Sequence, residues 1–241
     1  MTSEGARGGF QNESDVIDSF NSMSEESFIW LRHMGVNPSQ VGKIIARKGS
    51  PGTKPDVLLA VYDANGLLIL DTKISVKLTS NSAKGFNQID RGDVSKRYQK
   101  LWARMSKDTE TGLKLFTGAL PPISAGRDHR RMFLDELPPE LLLSIKNFFE
   151  INKSDIVSDL LAGRDPDKAK FLMCVSASDS TSKVLSMDQA IRHYSSGPVV
   201  LTPRGSLQIG RITMQRKGGD NGAESAKNLQ FKFDPNEVFS I

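Results

Sequence analysis

The sequence predicts a mixed α/β domain, one central sheet flanked by helices. Three observations point to it. Two apolar runs, 57–62 and 67–78, flank the turn Asp63-Ala64-Asn65-Gly66; Asn-Gly between apolar runs marks a hairpin, because its tight turn needs left-handed backbone. Stretches with apolar residues at helical spacing come before the hairpin and again in the middle of the chain. The last third breaks into short runs typical of strands. At 241 residues the chain can bury one substantial core.

From the N-terminus, 12–30 reads as a helix, with Val16, Ile17, Phe20, Met23 and Phe28 on one side and five acids on the other. Asn12 or Ser14 is its expected cap. Asn37-Pro38-Ser39 opens a short second helix carrying Val41, Ile44 and Ile45. A turn-rich loop, 48–55, leads into the hairpin. Residues 92–106 are expected to be helical, and Pro121-Pro122 starts a loop that carries Arg127, Arg130 and Arg131. Helices follow at 139–151 and 154–162, with Ser154 as cap of the second. Then come a buried strand at 170–176, a helix at 187–194, and strands at 198–202, 206–215 and 228–233. The expected organisation is a single domain, 1–241. It has a helical part at about 1–50, a hairpin at about 55–79 and a β-rich part at about 198–241.

Composition narrows the class. Apolar residues are 38% and charged residues 25%, which suits a folded globular chain. The one cysteine, Cys174, excludes a disulfide framework or a cysteine-based zinc cluster within one chain. It lies in Phe171-Leu172-Met173-Cys174-Val175 and reads as a buried core thiol. No apolar stretch approaches the ~18 residues of a membrane span. The first residues lack an apolar signal core, so a cytoplasmic protein without membrane partners is expected. His33, His129 and His193 have no metal-ligand spacing.

The net charge of +4 is unevenly spread. Residues 73–100 carry a net +5, residues 204–217 a net +4, and the remainder sums to −5. Two basic stretches on an acidic body suit the binding of a polyanion.

The hairpin places the chemistry. With Asn65 and Gly66 as a two-residue loop, facing residues sum to 131 and Asp56 lies opposite Ser75. Alternation then puts Asp71, Lys73, Ser75 and Lys77 on one face, with Leu68, Leu70, Ile74, Val76 and Leu78 towards the core. A carboxylate, a hydroxyl and two amines beside a Pro-Asp suit metal-dependent phosphodiester cleavage. Hard cations take oxygen ligands, and a lysine can orient water and offset phosphate charge. Pro-Asp followed by acid-x-Lys is the pattern of the PD-(D/E)xK nucleases. Two registers compete: Asp71-Thr72-Lys73 is the literal acid-x-Lys, whereas Ser75-Val76-Lys77 lacks the acid. The tight turn favours Ser75 and Lys77.

Further motifs carry a resemblance. They are Gly9-Phe10-Gln11-Asn12-Glu13, Val76-Lys77-Leu78, Gly85-Phe86-Asn87-Gln88-Ile89-Asp90, Phe116-Thr117-Gly118, Leu120-Pro121-Pro122 and Arg130-Arg131-Met132-Phe133. After these come Pro203-Arg204-Gly205-Ser206, Gln215-Arg216-Lys217-Gly218-Gly219-Asp220-Asn221-Gly222 and Leu229-Gln230-Phe231-Lys232. On these blocks the chain resembles the HinP-type type II restriction endonucleases, which cut GCGC. The resemblance implies a PD-(D/E)xK fold and Mg²⁺-dependent cleavage of both strands of double-stranded DNA. It also implies self-association as a homodimer and a cognate DNA methyltransferase in the same bacterial system. The family's acid and Gln-x-Lys fall on Asp56, Ser75 and Lys77, with serine where the family has glutamine. Metal binding would then rest on Asp56, the Val76 carbonyl, water and Glu13, with Asp71 as a further donor of negative charge. The serine also motivates a second reading, a catalytically weak or inactive DNA-binding relative.

Candidate DNA contacts fall into three groups. Phe86 matches the family's intercalating aromatic, and Asn87 and Gln88 beside it can pair with base edges, with Arg91 in the same basic stretch. Gln215, Arg216 and Lys217 precede a glycine-rich turn; arginine suits guanine and lysine suits phosphate. Arg204 belongs to the second basic stretch. Arg7, Gln11 and Asn12 match the helix that enters the minor groove in the family. A related site such as CCGC or CCGG differs by only one or two contacts.

Overall fold

The computed structural model describes residues 3–79, 86–218 and 223–241, and side chains from residue 11 onward. Contacts divide the chain into two compact units. The first comprises 1–87, 161–192 and 234–241; the second comprises 88–160 and 193–233.

The first unit holds a five-stranded sheet in the order β1-β2-β3-β5-β6. Its strands are β1 (Val41–Lys48), β2 (Val57–Asp63), β3 (Leu68–Leu78), β5 (Phe171–Val175) and β6 (Ser182–Ser186). The β3–β5 pair is parallel and the other pairs are antiparallel, so this is the mixed sheet expected. Helix α1 (Ser3–Asn21) packs on β1 and β3, and α2 (Glu25–His33) packs on β6. Asn21 staples α1 to β1, its side-chain amide exchanging hydrogen bonds with the Ala46 backbone at 2.8 and 3.0 Å. Between helix and sheet lie Val16, Phe20, Trp30, Leu31, Ile44, Val57, Leu59, Ile74 and Val76. Phe20 and Trp30 meet edge to face, and the Trp30 indole donates to Ser182 Oγ at 2.7 Å.

The second unit holds strands β4 (Asn87–Asp93), β7 (Val199–Leu201), β8 (Leu207–Ile209), β9 (Ile212–Arg216) and β10 (Asn228–Phe233). Their order is β4-β10-β9-β8-β7, antiparallel from β7 to β10. Between β4 and β7 in sequence run a π turn (Val94–Tyr98) that leads into α3 (Gln99–Leu101), then α4 (Lys107–Thr117), α5 (Pro139–Ile151) and α6 (Lys153–Leu161). Helices α4 and α5 pack together, and Tyr98, Trp102, Phe148, Phe149 and Phe231 form an aromatic core. Asp90 anchors this core: it accepts two bonds from Arg97, at 3.0 and 2.7 Å, and one from the Tyr98 hydroxyl at 3.0 Å. Helix α7 (Met187–Tyr194) joins the units in sequence.

Several elements differ from the sequence expectation. The 12–30 helix is two helices, broken where Met23 takes φ 55° and Ser24 caps α2 by accepting from Ser27 N. The helix starts at Ser3, so neither Asn12 nor Ser14 caps it. The short helix expected after Asn37 is one 3₁₀ turn followed by strand β1, because Val41, Ile44 and Ile45 belong to a sheet. The expected 92–106 helix shrinks to the π turn and α3. Ser154 lies inside α6 rather than capping it. The 206–215 run is a hairpin, since Gly210 turns with φ 57°. Beyond the mixed sheet, the sequence did not separate the second sheet. Among the described residues, no helix is long and apolar enough to cross a membrane.

Candidate functional site

In the first unit the site is built on the β2–β3 hairpin. The turn has three loop residues, not two: Asp63 N donates to Leu67 O at 2.9 Å, and Gly66 takes φ 81°. The Asp63 side chain caps the loop, accepting from Asn65 N and Leu67 N. Facing residues near the turn therefore sum to 130, as in Tyr62↔Leu68. A bulge at Ile69 then adds one residue, and from Val61↔Leu70 to Val57↔Ile74 the sum is 131. The two departures cancel, and Asp56, whose N–H donates to Ile74 O at 2.9 Å, comes level with Ser75 as expected. On the core face Ile74 and Val76 are buried as expected, but Leu68 is 47% exposed because it lies at the bulged, turn end.

At this point three groups converge on one oxygen. Asp56 Oδ2 accepts from Val76 N at 2.7 Å, Lys77 Nζ at 2.9 Å and Ser75 Oγ at 3.2 Å. Lys77 Nζ also donates to Val76 O at 2.8 Å. Ser75 is buried at 1% exposure, whereas the Asp56 and Lys77 side chains keep 20% and 24%. The hydroxyl is thus an internal donor and the charged pair reaches the surface. The loop entering Asp56 is pinned by Gly49, which donates to Asp56 O; a Cβ there would lie 2.0 Å from Pro55 O.

The competing register is not formed. Asp71 is exposed opposite Ala60, and Lys73 bonds Asp167 Oδ1 at 2.9 Å and Pro166 O at 2.7 Å. Glu13 on α1 pairs at 3.2 Å with Lys48, the residue of β1 that faces Val57. Cys174 lies beside Lys77 in the β3–β5 register, buried as expected, and burial pushes its thiol up to about 12.

The donor set fits a hard divalent cation. The Lys77 ammonium sits within hydrogen-bond reach of both Asp56 Oδ2 and Val76 O, the two oxygens such an ion would take. No group of three or more His, Cys, Asp or Glu forms a metal cluster among the described residues. One close carboxylate and one carbonyl suit an ion that keeps several waters, as Mg²⁺ does, and not tetrahedral zinc.

The other candidate contacts fall as follows. Gln11 bonds Asp15 at 2.7 Å, Asn12 is buried at 8% exposure, and the side chain of Arg7 lies outside the description. Phe86 is 51% exposed and Asn87 donates to Leu78 O at 2.6 Å, while Gly85 before them lies outside the described residues.

In the second unit Gln88 accepts from Gln230, which itself accepts from Gln215 at 3.0 Å. Arg91 and Arg204 are exposed. Arg216 is enclosed: its side chain is 11% exposed, pairs with Asp128 at 3.2 Å and stacks on Phe133 at 3.9 Å. Arg127 covers the other face of the same ring at 4.0 Å. Asp128 also pairs with Arg131 at 3.3 Å, and Arg131 donates to Lys217 O at 2.8 Å. Burial would raise the Asp128 carboxyl, but the Arg130 amide and the Arg131 and Arg216 guanidiniums hold it below the ordinary range. Lys217 Nζ reaches Ser225 Oγ at 3.1 Å. The turn after Gly218 lies outside the described residues. Sequence reasoning missed Asp128, Phe133 and Gln230 as site neighbours. Gln230 could have been found from its alternation with Leu229 and Phe231; Asp128 gave no local signal.

No match was found among curated proteins. Among solved structures, the crystal structure of restriction endonuclease MspI in complex with its cognate DNA matches with a TM-score of 0.65. The two chains are 12% identical, and the match covers 93% of this chain and 88% of that one. It shows the restriction-endonuclease fold that the family resemblance implied. The family model for the R.HinP1I restriction endonuclease matches residues 43–239. That match spans most of the chain, so the protein belongs to the R.HinP1I restriction endonuclease family and is a type II site-specific deoxyribonuclease.

Proposed function

We propose that the protein makes double-strand breaks in DNA at a short GC-rich palindrome, GCGC first, by Mg²⁺-dependent hydrolysis of the phosphodiester bond. The observation that carries this reading is the convergence of Val76 N, Ser75 Oγ and Lys77 Nζ on Asp56 Oδ2 at the rim of the hairpin. A divalent cation held by Asp56 and the Val76 carbonyl would supply Lewis acidity at the phosphate and acidify water.

The chain's own groups do the rest. Asp56 keeps its charge in place because three donors fix one of its oxygens. Lys77, whose ammonium reaches both Asp56 Oδ2 and Val76 O, would offset phosphate charge and orient the attacking water. Ser75 holds Asp56 and does not ligate. Glu13, tied to Lys48, contributes negative charge to the rim. Phe86, Gln88, Gln215 and Lys217 contact bases or backbone, and Arg7, Gln11, Asn12, Asn87, Arg91 and Arg204 supply further contacts to the duplex. The chain acts as one endonuclease module that self-associates. It works in a bacterial cytoplasm beside a methyltransferase that protects the same sequence.

The test is plasmid cleavage with Mg²⁺ and sequencing of the ends. Asp56→Ala should abolish cutting and leave duplex binding within a few fold. Cutting by that variant would place the metal site elsewhere, and ends lacking a common GC tetranucleotide would refute the specificity. Intact plasmid with the wild type, alongside tight GCGC binding, would favour the inactive-relative reading.

A further inference from the structure

Three glutamines on adjacent strands of the second unit form a single row. Gln215 on β9 and Gln230 on β10 are direct cross-strand partners, and Gln88 lies on β4, the next strand of the sheet. Gln215 Nε2 donates to Gln230 Oε1 at 3.0 Å, and Gln230 Nε2 donates in turn to Gln88 Oε1. All three side chains are half-buried. Leu229 and Phe231, on either side of Gln230, are fully buried, so alternation turns the Gln230 amide away from the core.

The row has a direction, since every donor points towards β4. Its two ends therefore differ. Gln88 keeps both N–H groups of its amide beyond the row, and Gln215 keeps its Oε1 acceptor. A G·C pair in the major groove offers acceptors on guanine and a donor on cytosine. Donors at one end and an acceptor at the other complement that pair, and the reverse polarity would not. A lone glutamine amide rotates and reads donor or acceptor equally well; an amide locked to its neighbour does not.

We propose that Gln230 is a specificity-positioning residue: it fixes the orientation of the Gln88 and Gln215 amides and so sets the enzyme's preference for G·C over the other base pairs. Gln230 acts through its neighbours and need not touch DNA. The proposal rests on the reading of this face as the base-reading face, given under "Proposed function".

The experiment measures binding of the full chain, by anisotropy without divalent metal, to a GCGC duplex and to duplexes substituted at one base pair each. Cleavage rates with Mg²⁺ and thermal midpoints accompany it. Gln230→Leu removes both bonds of the row and should lower discrimination about tenfold at one symmetry-related base-pair position, leaving the others within twofold. A merely structural role would lower affinity for every duplex alike. Gln230→Glu accepts from both sides, so the Gln88 amide must turn to donate and expose its oxygen. Both ends of the row then present acceptors, so that variant should lose the preference for G·C at the same position without gaining one for C·G. If the wild type does not distinguish the duplexes, the base-reading assignment fails and the proposal with it. If the wild type discriminates and both variants discriminate as well as it does, the proposal alone is overturned.

Discussion

Asp56 shows how little of a carboxylate's setting comes from charge alone. One of its oxygens takes a backbone N–H, a hydroxyl and an ammonium, so its position is over-determined before any ligand arrives. Ser75→Ala removes the longest of the three bonds from a buried site. A neutral hydrogen bond contributes about 1 kcal/mol, and Asp56 keeps its two shorter partners, so the rate should fall less than tenfold in single-turnover cleavage. A complete loss would mean that the hydroxyl takes part in the reaction. The thiol two strands from Asp56 makes a contrasting case. Cys174 is buried and pushed up to about 12, so a maleimide should leave it unmodified in the native enzyme at pH 8 and label it only in denaturant. Asp56, Ser75 and Lys77 were legible in the sequence because a strand's period of two and one turn fix which residues meet. Asp128 was not, because its partners Arg131 and Arg216 are brought to it by tertiary structure.

At the scale of elements, the hairpin was read correctly through a turn that was read incorrectly. The expected two-residue loop and the observed three-residue loop differ by one, and the Ile69 bulge restores the difference. Without it, Lys77 would point to the opposite face. Gly66 serves this turn with φ 81° and open space where a Cβ would stand. Gly66→Ala should therefore cost about 1 kcal/mol in chemical denaturation, through backbone strain and not through a clash. Strand β1 was hidden for another reason: its apolar residues Val41, Ile44 and Ile45 fit a helical spacing, and only pairing with β2 decides the matter. The loop that cages Arg216 behaves as an element too. Asp128 has its carboxyl held low, so its stabilising contribution is present above the unfolded value, about 3.9, and is lost as pH falls through the lower folded value. Asp128→Asn should lower the thermal midpoint at neutral pH. The gap between variant and wild type should narrow below about pH 4, where the wild-type carboxyl protonates in the unfolded chain and then in the folded one. A gap that stays constant down to pH 2 would show that the charge is not what matters.

On the scale of the whole molecule, the two basic stretches seen in the sequence do not act as one class of charge. Arg91 and Arg204 are exposed, whereas Arg216 is enclosed by Phe133 and Asp128, and Arg97 is tied to Asp90. Counting lysines and arginines overstates the number available to phosphate, because several neutralise the protein's own acids. Phosphate contacts release counterions, so each one adds about one to the slope of log K against log salt. Arg91→Ala and Arg204→Ala should each lower that slope by about one and weaken GCGC and scrambled duplexes equally. Arg216→Ala should do something different. It leaves Asp128 with one fewer partner and Phe133 with one bare face, so its first effect should be a lower denaturation midpoint. Titrating the duplexes between low and physiological salt, with denaturation curves for the same three variants, separates the two behaviours. Should Arg216→Ala keep full stability and lose a unit of slope, the guanidinium leaves its cage to meet the phosphate, and the enclosed arrangement belongs to the free enzyme alone.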